Sequence, residues 1–265
     1  MRKEKSIWRR LMPLLALTML LSILFGMNAM AASKTVTMKK NSKGVYAYQQ
    51  MDGFTGTVYH KINVPSTGIL VIAGNKAYSW GTGSMNVALC SSKKKELAKS
   101  YVDAAGDRYL YCGIKKGTYY LKSNGNSTYA LAASFLKVSD KGGASKGKAY
   151  AISQKKKITG VLPIGESQKK SDWFKIKVPK NKKLYFDVTT LCSGNIRLQV
   201  YGPSIRGVTA ITLAPDTDGT CFIKNSLTGK PLKLKAGTYY IKVTRSTRGA
   251  SGAYTSNAVL NNIRK

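Results

Sequence analysis

The sequence predicts an all-β protein: two tandem jelly-roll-like antiparallel β-sandwiches behind an N-terminal signal peptide. Three observations predict it. Apolar and polar residues alternate at period two along many short runs, as in strands with one buried face. Turn residues separate those runs every ten residues or so, the punctuation of a sandwich or jelly roll. A set of short segments also occurs twice, in the same order.

Residues 1–31 read as the signal peptide. Arg2, Lys3, Lys5, Arg9 and Arg10 form a basic n-region, and Leu11 to Met27 is an apolar run broken only by Pro13, Thr18, Ser22 and Gly26. Ala29 and Ala31 then supply an A-x-A cleavage signal, so cleavage is expected after Ala31. The competing reading is a retained anchor, because the run is close in length to a short membrane span. The small-residue site favours cleavage. Ala32, not a cysteine, follows, which argues against a lipid anchor. The mature chain is expected to have no membrane span and to be secreted, free or associated with the cell wall.

The first sandwich is expected over 32–138 and the second over 148–265, joined by a linker at 139–147. Gly117-Thr118-Tyr119-Tyr120-Leu121-Lys122 recurs as Gly237-Thr238-Tyr239-Tyr240-Ile241-Lys242. His60-Lys61-Ile62-Asn63-Val64-Pro65 matches Phe174-Lys175-Ile176-Lys177-Val178-Pro179, and Asn86-Val87-Ala88-Leu89 matches Asn195-Ile196-Arg197-Leu198. The closing strands each carry a tyrosine, Tyr129 and Tyr254. The linker, around Ser139 to Ala144, has the small and polar residues of a boundary.

The second copy shows its strands most clearly. Phe174, Ile176 and Val178 alternate with Trp173, Lys175 and Lys177. Leu184, Phe186 and Val188 follow, then Ile196, Leu198 and Val200, then Leu232 and Leu234, then the Tyr239 to Val243 run. No segment holds a helical period.

These residues resemble a known family. Ser171 to Ile176, Asn195 to Tyr201, Leu234 to Val243 and Gly252-Ala253-Tyr254 are similar to the bacterial pre-peptidase C-terminal domain. The entry through Lys148-Ala149-Tyr150 and Ile158-Thr159-Gly160 looks similar too. The resemblance implies a jelly-roll-like sandwich without catalysis, of the kind that accompanies secreted proteases and helps secretion, folding or attachment. This chain carries two copies and no protease.

Charge narrows the class of partner. Cleavage would remove five of the 44 basic and one of the 11 acidic residues, so +33 becomes +29. Such a charge favours anionic partners. Lysine supplies most of it, and arginine is the better residue for bidentate base-edge readout. Diffuse attraction to a polyanion is therefore expected, with no specific nucleic acid. A lysine surface that serves only solubility is the alternative.

Four cysteines remain: Cys90, Cys112, Cys192 and Cys221. Cys90–Cys112 and Cys192–Cys221 are the natural disulfide pairs, one in each half, though four cysteines allow three connectivities. Strand phase points Cys90 outward and Cys112 inward, which opposes the first pair.

Catalytic constellations are missing. His60 is the single histidine and shares strand phase with Ile62 and Val64, so it reads as a packed inner residue. The glutamates of the mature chain, Glu96 and Glu166, fall in different copies and do not suggest paired-acid chemistry. Asp216 and Asp218 share one turn and are weak calcium candidates, since a hard cation wants more oxygens than two. Zinc has no C-x-x-C to hold it. No cofactor is expected.

Two features are left for binding. Lysines cluster at predicted turns, foremost Lys93, Lys94 and Lys95, and Lys155, Lys156 and Lys157. Tyr78 and Trp80 sit in a glycine-rich loop and could stack on sugar rings. The expected function is a secreted, non-enzymatic binding or adhesion protein of a bacterial surface, engaging an anionic cell-surface polymer or acidic glycan. The alternative is an accessory or chaperone-like module for a separate secreted protease.

Overall fold

The computed structural model describes residues 33–262 except 43, 51–53, 55, 79–80, 104–107, 126, 206–208 and 225–227. The expected signal peptide, 1–31, lies outside the described residues. Among the described residues the chain is all-β, and no helix is long and apolar enough to cross a membrane.

Two compact units divide the chain. The second comprises Lys137–Lys265 together with Thr67–Ile69 and Cys112–Ile114. Up to residue 137 the strands are β1 (Lys34–Thr37), β2 (Lys39–Lys40), β3 (Val45–Gln50), β4 (Thr57–Val64), β5 (Gly68–Tyr78), β6 (Gly81–Gly83), β7 (Met85–Cys90), β8 (Glu96–Val102), β9 (Leu110–Ile114), β10 (Gly117–Asn124) and β11 (Tyr129–Lys137). After it come β12 (Tyr150–Ala151), β13 (Lys157–Leu162), β14 (Ser171–Val178), β15 (Lys182–Ser193), β16 (Ile196–Tyr201), β17 (Thr209–Leu213), β18 (Asp218–Phe222), β19 (Gly237–Arg245) and β20 (Ser251–Asn262).

The duplication seen in the residues is a duplication of topology. One sheet runs β1-β4-β10-β7-β8, and its counterpart runs β12-β14-β19-β16-β17. The other sheets run β2-β3-β11-β5-β6, with β9 also on β5, and β13-β20-β15-β18. Both copies open with a strand parallel to its neighbour, β1 on β4 and β12 on β14.

Register is repeated as well. Leu121 stands opposite His60, and Ile241 stands opposite Phe174. Gly117 faces Val64 and Gly237 faces Val178 at the ends of these ladders. Pro65 and Pro179 come next, and a residue without an N–H cannot extend a ladder. One expected match shifts by two residues. Leu89 is the equivalent of Val200, not of Leu198, because these two face Leu121 and Ile241. A slip of two keeps every side chain on its own face, so periodicity alone does not detect it.

Alternation decides what is buried. Val58, His60, Ile62 and Val64 of β4 point inward, as do Phe174, Ile176 and Val178 of β14. The second core gathers Phe174, Phe186, Leu198, Tyr239, Ile241 and Tyr254. Each large apolar side chain so buried contributes about 1.5–3 kcal/mol before chain entropy opposes it. The run at Leu232 and Leu234 forms only isolated bridges, Lys224 with Pro231 and Lys182 with Leu234. Pro231 lacks the N–H a strand there would need. The segment 139–147, expected as a linker, is tied into the second unit. Gly143 and Trp173 exchange backbone bonds at 3.0 and 2.9 Å.

Candidate functional site: aromatic and lysine faces

The sheets β1-β4-β10-β7-β8 and β12-β14-β19-β16-β17 present their polar faces away from the cores. On each, the outward positions of the repeat hold rings and lysines. Tyr59 pairs with Lys122 across β4 and β10, and Trp173 pairs with Lys242 across β14 and β19. Lys61 pairs with Tyr120, and Lys175 with Tyr240. Outward phase in a ladder fixes these residues as neighbours on one surface.

In the first unit the Tyr59 and Tyr120 rings meet edge to face, with centroids 6.2 Å apart. Lys94 Nζ lies 4.4 Å from the Tyr59 centroid and 5.6 Å from that of Tyr120, and it donates to Thr35 Oγ1 at 3.0 Å. The backbone at Lys94, in the β7–β8 connection, is left-handed (φ 58°). In the second unit Trp173 and Tyr201 stack at 5.6 Å with planes 28° apart. Lys146 Nζ lies 5.0 Å from the Tyr240 centroid and 5.9 Å from that of Tyr201, and Lys242 Nζ lies 5.5 Å from Trp173. Each cation over a ring is worth about 0.5–1 kcal/mol where water still reaches it.

The expected site residues are therefore split up. Lys94 joins the aromatic face, while Lys93 and Lys95 stay exposed in the turn. Lys155, Lys156 and Lys157 do not join the face of their unit. Lys155 N–H bonds Ala258 O, and Lys157 opens β13 opposite Asn257, in the other sheet. Tyr78 ends β5, its backbone paired with Gly81, and Trp80 lies outside the described residues. Tyr59, Tyr120, Tyr201 and Tyr240 were not singled out by the sequence. The signal was present, since the two repeat copies carry a ring and a lysine at matching outward positions.

The turn with Asp216 and Asp218 does not converge on a cation. Asp216 has a left-handed backbone (φ 54°), and Asp218 sits across from Thr189, whose hydroxyl donates to it at 3.2 Å. No cluster of three or more His, Cys, Asp or Glu fit for a metal occurs among the described residues.

The expected disulfides are not formed in the structure. All four cysteines are free. Cys221 faces Phe186, six positions along β15 from Cys192, a separation of about 20 Å at strand rise. A disulfide needs Cα atoms within about 7 Å. Cys90 and Cys112 lie on β7 and β9, strands of different sheets. Cys90 has the outward phase expected for it, opposite Tyr120, yet it is fully buried.

His60 is buried among its neighbours, as its phase predicts. Its Nε2 lies 3.1 Å from Ser123 Oγ and 3.0 Å from Tyr129 OH. Burial, with Lys34 adding repulsion, pushes the imidazole down to about 3. The ring is therefore neutral near pH 7.

No family model matches the chain, and no curated protein does. Several solved structures are similar at low identity. The CUB1-EGF-CUB2 domain of human MASP-1/3 is 10% identical, with 81% of this chain and 99% of that one covered and a TM-score of 0.22. A cycloalternan-forming enzyme from Listeria monocytogenes, in complex with a pentasaccharide, is 13% identical, with 82% of this chain and 19% of that one covered and a TM-score of 0.27. Tripeptidyl peptidase 2 is 11% identical, with 85% and 24% covered and a TM-score of 0.25. This chain thus spans about a fifth to a quarter of the two enzymes.

Proposed function

We propose that the protein is a secreted, non-enzymatic binding protein of a bacterial surface that engages acidic glycans or other anionic polymers through the two aromatic and lysine faces. The observation that carries this reading is the repetition of Tyr59/Trp173, Tyr120/Tyr240 and Lys122/Lys242 at the same register positions. Rings stack on the apolar faces of sugars, and lysines attract carboxylate, sulfate or phosphate groups. The net charge of +33 acts in the same direction by drawing polyanions in. Two such faces on one chain favour a polymer over a single small molecule, since linked sites add avidity.

The test is retention on immobilised acidic polysaccharide and on its neutral counterpart as sodium chloride rises from about 50 to 500 mM, where the Debye length falls well below 10 Å. Retention of the acidic polymer alone, lost across that range, is expected. Equal retention of both polymers, or none of either at low salt, would overturn the proposal.

A further inference from the structure

The polar faces of the two units are not identical, and that of the first carries a cleft. On β7, Ala88 stands between Lys122 of β10 and Lys99 of β8, each directly opposite it. A methyl group between two long side chains leaves a trough. It measures about 480 Å³ and is lined by Asn86, Ala88, Glu96, Lys99, Lys122 and Asn124, among others. That volume lies in the range of small-molecule sites, about 300–1,000 Å³. A smaller cavity of about 240 Å³ shares Asn86 and Asn124 and reaches Tyr101. Tyr101 pairs with Asn86 across β7 and β8 and is 59% exposed.

In the second unit the same positions are filled differently. Gln199 stands opposite Lys242 where Ala88 stands opposite Lys122. Arg197 takes the place of Asn86, and Ala210 and Thr212 take those of Lys99 and Tyr101. The residues that shape the trough are therefore not repeated in the second unit.

Its chemistry is specific. Lys122 Nζ and Glu96 Oε1 are 2.7 Å apart, and the partnership holds the glutamate below the usual carboxylate range. That pair is neutral as a unit, so Lys99 leaves one net positive charge. Asn86 and Asn124 each offer an amide that can both donate and accept, which suits neighbouring hydroxyls. The exposed ring of Tyr101, in the smaller cavity that shares Asn86 and Asn124 with the trough, suits the apolar face of a pyranose.

We infer that this trough is a subsite for one uronic-acid residue, a pyranose with a single carboxylate, whose charge meets Lys99, whose hydroxyls meet Asn86 and Asn124, and whose ring lies on Tyr101. The inference rests on the proposed engagement of acidic glycans and gives it a location and a sugar class.

The test uses the full mature chain and a galacturonic acid trisaccharide, with its carboxyl-reduced form and sodium sulfate at equal ionic strength as controls, read by calorimetry or amide chemical shifts. The uronate should bind, with shifts centred on β7 and β8, and the controls should bind at least tenfold more weakly. Ala88→Gln copies the second unit and should abolish binding by filling the trough. Asn86→Ala should weaken it about tenfold, and Lys99→Gln should erase the preference over the reduced sugar. Circular dichroism checks each fold; should Ala88→Gln fail to fold, the other two variants decide. Uronate binding untouched by these variants would overturn the subsite while leaving polymer retention intact. Equal binding of sulfate, or no uronate binding at millimolar concentration, would overturn it as well. Loss of polymer retention by the unaltered chain would instead sink the broader proposal.

Discussion

His60 and Phe174 occupy one register position in the two units, and each meets a tyrosine of the closing strand edge on. The ring planes are 87° apart for His60 and Tyr129 and 88° apart for Phe174 and Tyr254. The same packing geometry thus holds a polar trio in one core and a phenylalanine–tyrosine pair in the other.

This pairing makes the first unit sensitive to acid. His60 is held at about 3 in the fold, below its ordinary 6.5. Between those values the unfolded chain binds the proton and the fold does not, so stability is lost as pH falls from about 6.5 towards 3. His60→Phe should remove this dependence. At neutral pH it should also cost about 1–3 kcal/mol, because Tyr129 OH and Ser123 Oγ lose their shared partner. Denaturant melts at pH 7.5 and 4.5 check both halves; an unchanged acid dependence in the variant would refute the assignment to His60.

The second unit should respond in the opposite direction. Asp172 is pushed up to about 7, chiefly by burial, while the hydroxyl of Tyr254, donating to Oδ2 at 2.7 Å, works against the shift. Asp140 and Glu166 add repulsion and Arg245 opposes it. The fold then binds the proton more tightly than the unfolded chain, so stability falls as pH rises from about 4 to 7. Asp172→Asn should flatten that decline. Amide hydrogen exchange in β14 and β19 across this range reads the second unit by itself.

The thiols should be inert in the native protein. Burial raises Cys112 and Cys192 to about 12 and Cys221 to about 11, and raises Cys90 as well. A thiol that stays protonated is a poor nucleophile. Iodoacetamide at pH 8 should label none quickly, and all four after denaturation without reductant. Fewer than four adducts in the denatured chain would mean that a disulfide is present.

The rings, more than the outlying lysines, should set polymer retention. Tyr59→Ala with Trp173→Ala should elute at clearly lower salt than the parent. It should also cost about 0.5–1.5 kcal/mol per lost aromatic pair in stability. Neutralising Lys155, Lys156 and Lys157 to glutamine should shift elution less, since Lys157 opens β13 of the other sheet and Lys155 bonds Ala258 there. The reverse order of effects would refute binding through these faces.

Much of the fold was legible in the residues. The alternation in β4, β14 and β16 announced both their strands and their buried sides, and the Gly117 and Gly237 repeats marked equivalent edges. The two-residue shift between β7 and β16 was not legible, because a slip of two leaves the pattern of faces unchanged. The strand expected at Leu232 and Leu234 reduced to bridges beside Pro231. The lysine triplets drew attention by composition, yet only Lys94 reaches the aromatic face. Tyr59 and Tyr120 drew none, because residues 61 positions apart become neighbours only across a ladder.

By itself the sequence determined the period-two burial, the twofold repeat and the excess of lysine, since each is a local or compositional property. Tertiary structure alone decided which outward residues share a surface, that Cys192 and Cys221 stand too far apart to bond, and that Ala88 lies in a trough between Lys122 and Lys99. The reason is physical: register across strands sets those distances, and register depends on pairings between residues far apart in the chain.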